Sequence, residues 1–338
     1  MANKVFVSGG SGYIAGFLIR QLIAEGWQVN TTIRNLAREA DVRGWLNVDN
    51  SKLTFFAADL MSDAGWAEAM AGCTHVAHVA SPLPANSPKS DDDLIIPARE
   101  GALRALRFAK EAGIKRFVMT SSVAAVAYGH GTGQHHFTEA DWTNPESPDA
   151  YAYVKSKTIA ERAARDWVAA NAPDMEFVTV NPSLVLGPLL AADFSTSLEA
   201  IKKLLEGSLP GLPNFGFAVV DVRDVADLHV RCLSAPNMAG ERFIAAGPFL
   251  WMGDVAAIMR QGLGADARKV PTRKLPNFVL KILALFDPIV KQVVGELDNV
   301  RDTSAQHALD VLGWKTRDPK ESILDTARDM IRLGVVKL

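Results

Sequence analysis

Residues 151–157 read Tyr-Ala-Tyr-Val-Lys-Ser-Lys, so each of two tyrosines precedes a lysine by four residues: Tyr151 with Lys155, and Tyr153 with Lys157. On a helix either pair sets an ammonium beside a phenol. A free phenol has a pKa of about 10, too high to exchange protons readily near neutrality, and a neighbouring ammonium stabilises the phenolate and draws that value down. The stretch "MTSSVAAV" adds Ser121 and Ser122, either of which has a hydroxyl suited to holding a carbonyl oxygen. A proton donor, a cation and a hydroxyl together suit the interconversion of a carbonyl and an alcohol.

Helical phase separates the two pairs. At about 100° per residue, Tyr153, Lys157, Ala160, Ala164, Trp167 and Val168 share one side of a helix that runs from Tyr151 to Asn171. Tyr151, Lys155, Thr158, Arg162, Arg165 and Asp166 share the other. The first side is small and apolar apart from Tyr153 and Lys157, and is expected to lie against a sheet. The second is expected to face solvent. Tyr153 and Lys157 are therefore the catalytic candidates.

The elements that must position them alternate along the first half of the chain. "KVFVSG", "WQVNTTIR", "LTFFAADL", "THVAHVAS", "IKRFVMTSS" and "EFVTVNPS" have the composition of strands, and helical patterns separate most of them. This alternation predicts an α/β fold, a doubly wound parallel sheet of Rossmann type. After about residue 181 the alternation breaks down, and a smaller C-terminal substrate-binding lobe is expected. The boundaries expected are 1–180 plus about 217–247 for the dinucleotide-binding domain, and 181–216 plus 248–338 for the lobe. Ser121 and Ser122 then fall at the carboxyl end of the fifth strand, where open α/β sheets bind ligands.

At the first strand-to-helix junction, "VFVSGGSGYIAG", Gly9, Gly12 and then Ala15 or Gly16 recur at intervals of three. Glycines there let the turn adopt positive φ and let backbone amides approach a pyrophosphate at the helix N-terminus. The second strand selects the cofactor. An NAD site places an acid at its end, for the ribose 2′-hydroxyl, whereas arginine there accommodates a 2′-phosphate. No acid lies between Val29 and Asn35, the strand ends at Arg34, and Arg38 is close by, so NADP(H) is expected. Asp59 and Leu60, closing the third strand, either flank an adenine or open the next helix with Asp59 as its cap.

The bulk composition excludes other classes. Hydrophobic residues at 48% and charged residues at 22% are globular values, and a net charge of −2 offers no attraction for nucleic acid or an anionic membrane. Two distant cysteines, Cys73 and Cys232, build no disulfide framework, and the N-terminus lacks a signal-peptide core, so a cytoplasmic setting is expected. "FVLKILALF" (278–286) is too short to span a bilayer and is expected to be a buried or pocket-lining helix. Cys73, His75 and His78 point to both faces of one strand and do not converge on a metal. His135 and His136 are expected in a polar loop near the mouth of the site, over which Trp142 packs a neighbouring turn.

Taken in order, "VSGGSGYIAG", "TIRN", "AADL", "AHVASP", "TSSVAAV", "YVKSKTIAE", "NPSLVLGP", "VDVRDVADLH" and "LGWKTRDPKESILDT" resemble the extended short-chain dehydrogenases/reductases. The resemblance is to the branch of dihydroflavonol reductases, cinnamoyl-CoA reductases and yeast methylglyoxal/aldehyde reductases, and it spans nearly the whole chain. It implies Tyr153 as general acid/base, Lys157 as the group that orients the nicotinamide ribose and lowers the phenol pKa, and Ser122 as the residue that polarises the carbonyl. It also implies that Tyr13, Ile14, Val79, Ala80, Ser81, Pro182 and Val185 surround the cofactor. Two departures bear on substrate. The asparagine that reads flavonoid hydroxyls is replaced by Ala127, and the long cinnamoyl-CoA reductase motif around the tyrosine is replaced by "SPDAYAYVKSK". A smaller or less polar aldehyde or ketone is expected, handled by a monomer or homodimer. Two other classes share the scaffold. A sugar-nucleotide epimerase or dehydratase holds NAD tightly, against which Arg34 argues. A non-catalytic dinucleotide sensor typically lacks the Tyr, Lys and Ser that this chain retains.

Overall fold

The structure, a computed structural model, describes residues 3–82, 90–192, 196–285 and 294–338. Strand β1 (Lys4–Val7) leads through a glycine turn into helix α1 (Tyr13–Ala24), and β2 (Gln28–Ile33) returns alongside. Helix α2 (Glu39–Leu46), β3 (Leu53–Ala57), α3 (Trp66–Met70) and β4 (His75–His78) follow. Helix α4 (Asp92–Glu111) and β5 (Arg116–Thr120) complete the first half. A short strand β6 (Gln134–Phe137) precedes the long helix α5 (Ala152–Asn171), and β7 (Glu176–Pro182) then enters the sheet.

The rest of the chain divides among three sheets. Strands β8 (Leu184–Leu186) and β9 (Gly216–Asp221) flank helix α6 (Glu199–Glu206), and helix α7 (Val222–Ser234) leads to β10 (Arg242–Ala245). Strand β11 (Phe249–Trp251), helices α8 (Met252–Leu263) and α9 (Asn277–Leu283), and strand β12 (Val300–Thr303) follow. Helices α10 (Gln306–Leu312) and α11 (Pro319–Arg332) come last. The main sheet has seven strands in the order β10-β7-β5-β4-β1-β2-β3, every neighbouring pair parallel. This is the doubly wound sheet expected. β9 pairs with β8 and β11 in a separate three-stranded sheet, while α7 packs on α1 and β10 extends the edge of the main sheet.

Period-two alternation gives the main sheet two cores. Val5 and Val7 of β1 face Leu18, Leu22 and Val225 of α1 and α7, while Phe6 faces Trp66, Ala102 and Leu106 of α3 and α4. A third core, built on Leu186, Leu204, Val255, Met259 and Ile323, belongs to the small sheet and the helices around it. Helix α9 corrects one expectation. It buries Leu280 but exposes Phe278 (65%), Ile282 (55%) and, just beyond its end, Leu285 (77%), so it is not a buried helix. At 100° per residue Phe278, Ile282 and Leu285 share one side, opposite the buried Leu280. Phe286 lies outside the described residues.

The turn after β1 tolerates no side chain at one point. A Cβ on Gly10 would lie 2.3 Å from Thr31 Oγ1, and that hydroxyl is already committed to the carbonyl of Val7 at 2.8 Å. Gly10→Ala must therefore push the turn off β2. A loss of about 1–3 kcal/mol of stability is expected from such overpacking, read as a lower urea midpoint; an unchanged midpoint would show that the turn yields freely.

Candidate active site

The glycine turn and the exit of β4 are built against each other. Gly9 has φ +73°, and a Cβ on it would lie 3.0 Å from the Cβ of Ala80. Ser8 Oγ accepts the amides of Val79 and Ala80, both at 2.9 Å, and lies 3.0 Å from His78 Nδ1. With both lone pairs engaged, the hydroxyl proton goes to Nδ1, which leaves His78 as the Nε2–H tautomer. Burial, with the Lys157 charge adding to it, pushes the His78 pKa down to about 3, so this tether stays neutral. Nothing in the sequence reading singled out Ser8. Only the parallel pairing of β1 with β4 shows what its hydroxyl reaches.

Helix α1 begins at Tyr13 with Gly12 as its cap residue, and it has no side-chain cap bond and no acid in its first turn. Its free amides and the positive end of its dipole are left for an anionic group. Tyr13 and Ile14 are half-buried, and the buried Tyr13 hydroxyl has no hydrogen-bond partner among the described residues. Arg34 follows β2, exposed, with no hydrogen bond or ion pair from its guanidinium among the described residues. Arg38 lies over the ring of Trp45 at 5.2 Å, and Arg43 is committed to Glu39, Asn50 and the carbonyl of Leu53. Asp59 accepts the amide of Met61 at 2.8 Å and so braces its own turn; the residue that opens α3 is Gly65. Leu60 packs on Gly101 of α4.

At the carboxyl end of β5 the two serines are told apart by their partners. Ser121 Oγ donates to Glu161 at 2.6 Å and is consumed there. Ser122 caps a short turn, accepting the amide of Ala124 at 3.1 Å, and its hydroxyl lies close enough to the Tyr153 phenol to oppose the rise of its pKa. Lys157 Nζ sits 5.8 Å from the centre of the Tyr153 ring. Ser122, Tyr153 and Lys157 are thus brought together, with Ser122 and Lys157 buried and Tyr153 half-buried. The expected depression of the phenol pKa is not what this geometry gives. Burial raises the Tyr153 pKa, and the opposing influence is the Ser122 hydroxyl rather than Lys157. The ammonium is itself under strain from burial, which lowers Lys157 to about 8 against the pull of Glu161.

The opposite side of α5 is not the solvated face expected. Thr158 is fully buried and returns its hydroxyl to the carbonyl of Val154, on a helix that the turn after Ser122 also packs against. Tyr151 meets Tyr128 edge to face at 5.9 Å and is hydrogen-bonded to it. Arg301 lies 4.2 Å over the Tyr128 ring, donates to the Ala127 carbonyl and reaches Asp149 and Glu296. Lys155 pairs with Asp91 at 2.6 Å. His135 and His136 are likewise not in a loop but on β6, which pairs with β12, and His136 bonds Asp302 at 2.8 Å.

Val79, Ala80 and Ser81 lie half-buried at the end of β4, and Pro182 and Val185 are buried at the end of β7 and in β8. Between them the Ser183 hydroxyl and the Asn181 carbonyl oxygen are buried without partners among the described residues. The described helices include none long and apolar enough to cross a membrane.

The sequence profile of the NAD dependent epimerase/dehydratase family matches residues 5–246. Cinnamoyl-CoA reductase CAD2 of Medicago truncatula is 37% identical over 250 residues, 71% of this chain and 75% of that protein. Cinnamoyl-CoA reductase 1 of Petunia hybrida is 34% identical over 86% of this chain and 90% of its own length. The crystal structure of yeast methylglyoxal/isovaleraldehyde reductase Gre2 complexed with NADPH superposes with a TM-score of 0.82 at 25% identity, covering 98% of this chain and 100% of that one.

Lys157 offers a direct check on this arrangement. Burial disfavours its ammonium, so the charge is lost as pH rises through about 8. In protein carrying 13C-labelled lysine, NMR titration should find one side chain with that midpoint, absent in Lys157→Met. If every lysine titrates at the ordinary value of about 10.4, Lys157 is not buried as described.

Proposed function

The chain belongs to the NAD dependent epimerase/dehydratase family, and within it we propose that this protein reduces an aldehyde or ketone to the alcohol with NADPH, or runs the reverse oxidation. The observation that carries the reading is the convergence of Ser122, Tyr153 and Lys157 at the carboxyl end of β5, with Ser121 tied off elsewhere. The cofactor's site fits the residues present. The turn admits no Cβ at Gly10, the α1 N-terminus has no side-chain cap, and Arg34 is uncommitted at the end of β2. Gly9, Gly12, Tyr13 and Ile14 would hold the pyrophosphate, Arg34 the 2′-phosphate, and Val79, Ala80, Ser81, Pro182 and Val185 the remainder; Asp59 and Leu60 would flank the adenine.

NADPH, when bound, supplies the hydride. The protein's part is to hold the carbonyl and deliver the proton. Ser122 and Tyr153 present neighbouring hydroxyls, so one carbonyl oxygen placed between them would accept from both. As negative charge develops on that oxygen, Tyr153 gives up its proton. A phenol held above its ordinary pKa keeps that proton through neutral pH until the oxygen needs it. Lys157 contributes the only cation near the phenol ring among the described residues, and it would also meet the nicotinamide ribose. Ala127, and the apolar neighbours Val126 and Ala125, favour a less polar substrate than a flavonoid. The same reading assigns 1–180 with about 217–247 to cofactor and the rest to substrate, in a monomer or homodimer of the cytoplasm.

Two measurements test it. Arg34→Asp should erode or invert a preference for NADPH over NADH of about ten- to a hundred-fold, the equivalent of the 1.5–3 kcal/mol of a charged hydrogen bond; a parent equally efficient with both cofactors contradicts the assignment. Tyr153→Phe retains the packing and removes the proton, so turnover of aldehydes and ketones should fall at least a hundred-fold while NADPH still binds. Exchange of free NADPH in each cycle separates this activity from an epimerase that keeps its NAD.

A further inference from the structure

Glu161 lies one turn beyond Lys157 on α5 and is fully buried. Its carboxylate collects five donors. Oε1 accepts from Arg242 Nε at 2.8 Å, Thr179 Oγ1 at 3.2 Å and Arg165 Nε at 3.3 Å. Oε2 accepts from Ser121 Oγ at 2.6 Å and from Asn181 Nδ2 at 2.8 Å. Asn181 Nδ2 also donates to the backbone carbonyl of Ser122 at 3.1 Å. Arg242, on β10, continues to the Ala125 carbonyl at 3.1 Å and to the carbonyls of Glu139 and Asp141. The peptide on either side of Ser122, and the turn that follows it, are therefore all moored to one carboxylate and its arginine.

A buried ion pair is an inefficient way to hold a fold together, since well-packed apolar side chains often serve as well, and such groups are best attested as devices of positional specificity. Within the proposed site the network reaches Ser122 at its backbone carbonyl, with the Ser121 hydroxyl before it and the Ala125 carbonyl after it held as well. We infer that Glu161 is a positioning residue for the proposed reduction: it holds the Ser122 hydroxyl at the Tyr153 phenol, and its negative charge keeps the ammonium on Lys157. The inference rests on the reading of Ser122, Tyr153 and Lys157 given above.

The electrostatic part has few participants. Lys157 is faced by Glu161 on its own helix, by His78 from β4 and by the ring of Tyr153. His78 is neutral throughout the working range. Glu161 is faced by Arg165 on α5 and Arg242 on β10, which hold its own pKa below the carboxylate range despite burial. Glu161 is therefore the anion that opposes the loss of charge at Lys157. Without it the ammonium is lost at lower pH.

Glu161→Gln retains the shape of the side chain but loses the charge and one of its two accepting oxygens. It should lower kcat by about ten- to a hundred-fold, the cost of misplacing a catalytic group by about 1 Å, with the Kd for NADPH within a few-fold of the parent. The alkaline limb of its kcat profile should move down by about one pH unit or more. Ser121→Ala removes one mooring and keeps the charge, so kcat should fall while the limb stays in place. A folded Glu161→Gln with parental kcat and an unmoved limb overturns the inference. If Glu161→Gln does not fold, Ser121→Ala decides, and parental kcat there overturns it equally. Lower thermal stability without a shifted limb assigns Glu161 to the fold alone and refutes the electrostatic role. Tyr153→Phe measured alongside separates the two levels: an inactive Tyr153→Phe beside an unaffected Glu161→Gln removes only the role of Glu161, whereas an active Tyr153→Phe removes the proposed site and Glu161 with it.

Discussion

Seven strands running the same way impose one constraint on everything else: all their carboxyl ends meet at a single edge of the sheet. Winding reverses between β1 and β4, the central neighbours, because the chain places β2 and β3 to one side and β5, β7 and β10 to the other. The crossovers leaving β1 and β4 depart in opposite directions and open a crevice there. Gly9 and Ala80 form its floor, in contact, and Ser8 ties the two exits together through Val79, Ala80 and His78. The next strand over, β5, delivers Ser122 to the same edge, and α5 descends across it with Tyr153 and Lys157 on its inner side. The chemistry sits beside the crevice because parallel pairing leaves nowhere else for three strand ends to converge.

Much of this was legible in the sequence. Strand and helix alternate with clear periods up to β7, and a glycine run between a strand and a helix has one common use. Helical phase separated Tyr153 from Tyr151, and the structure brings Tyr153 and Lys157 beside Ser122 while Tyr151 meets Tyr128. What was not legible depended on partners far away in the chain. The residues alone leave Ser121 and Ser122 open, only the family resemblance points to Ser122, and Glu161, forty residues on, is then seen to claim Ser121. Thr158 and Tyr151 fall on a side that phase marks as outer, yet the turn after Ser122 packs on α5 and Tyr128 meets Tyr151. His135 and His136 read as loop residues since the strand that pairs with them, β12, begins at Val300.

The phenol is a second case where position decides against intuition. Spacing of four residues makes Lys157 the obvious modulator of Tyr153. The ammonium nevertheless lies over the ring rather than at the oxygen, and its own charge is expensive to bury. Burial resists both the phenolate of Tyr153 and the ammonium of Lys157, and the negative charge of Glu161, itself held by Arg165 and Arg242, favours only the ammonium.

The pairing of β6 with β12 bears on how the molecule is made. His136 and Asp302, bonded across it, are 166 residues apart in the chain. At 5–20 residues per second, a ribosome takes roughly ten to thirty seconds to travel that distance. Through that interval β6 has emerged, has no edge to join, and carries the apolar Phe137. Contacts of this separation slow folding and prolong exposure of unpaired strand. The β6–β12 pair is thus among the last parts of the nascent protein to settle, and the interval before it does is when the growing chain is most exposed to aggregation and to chaperones.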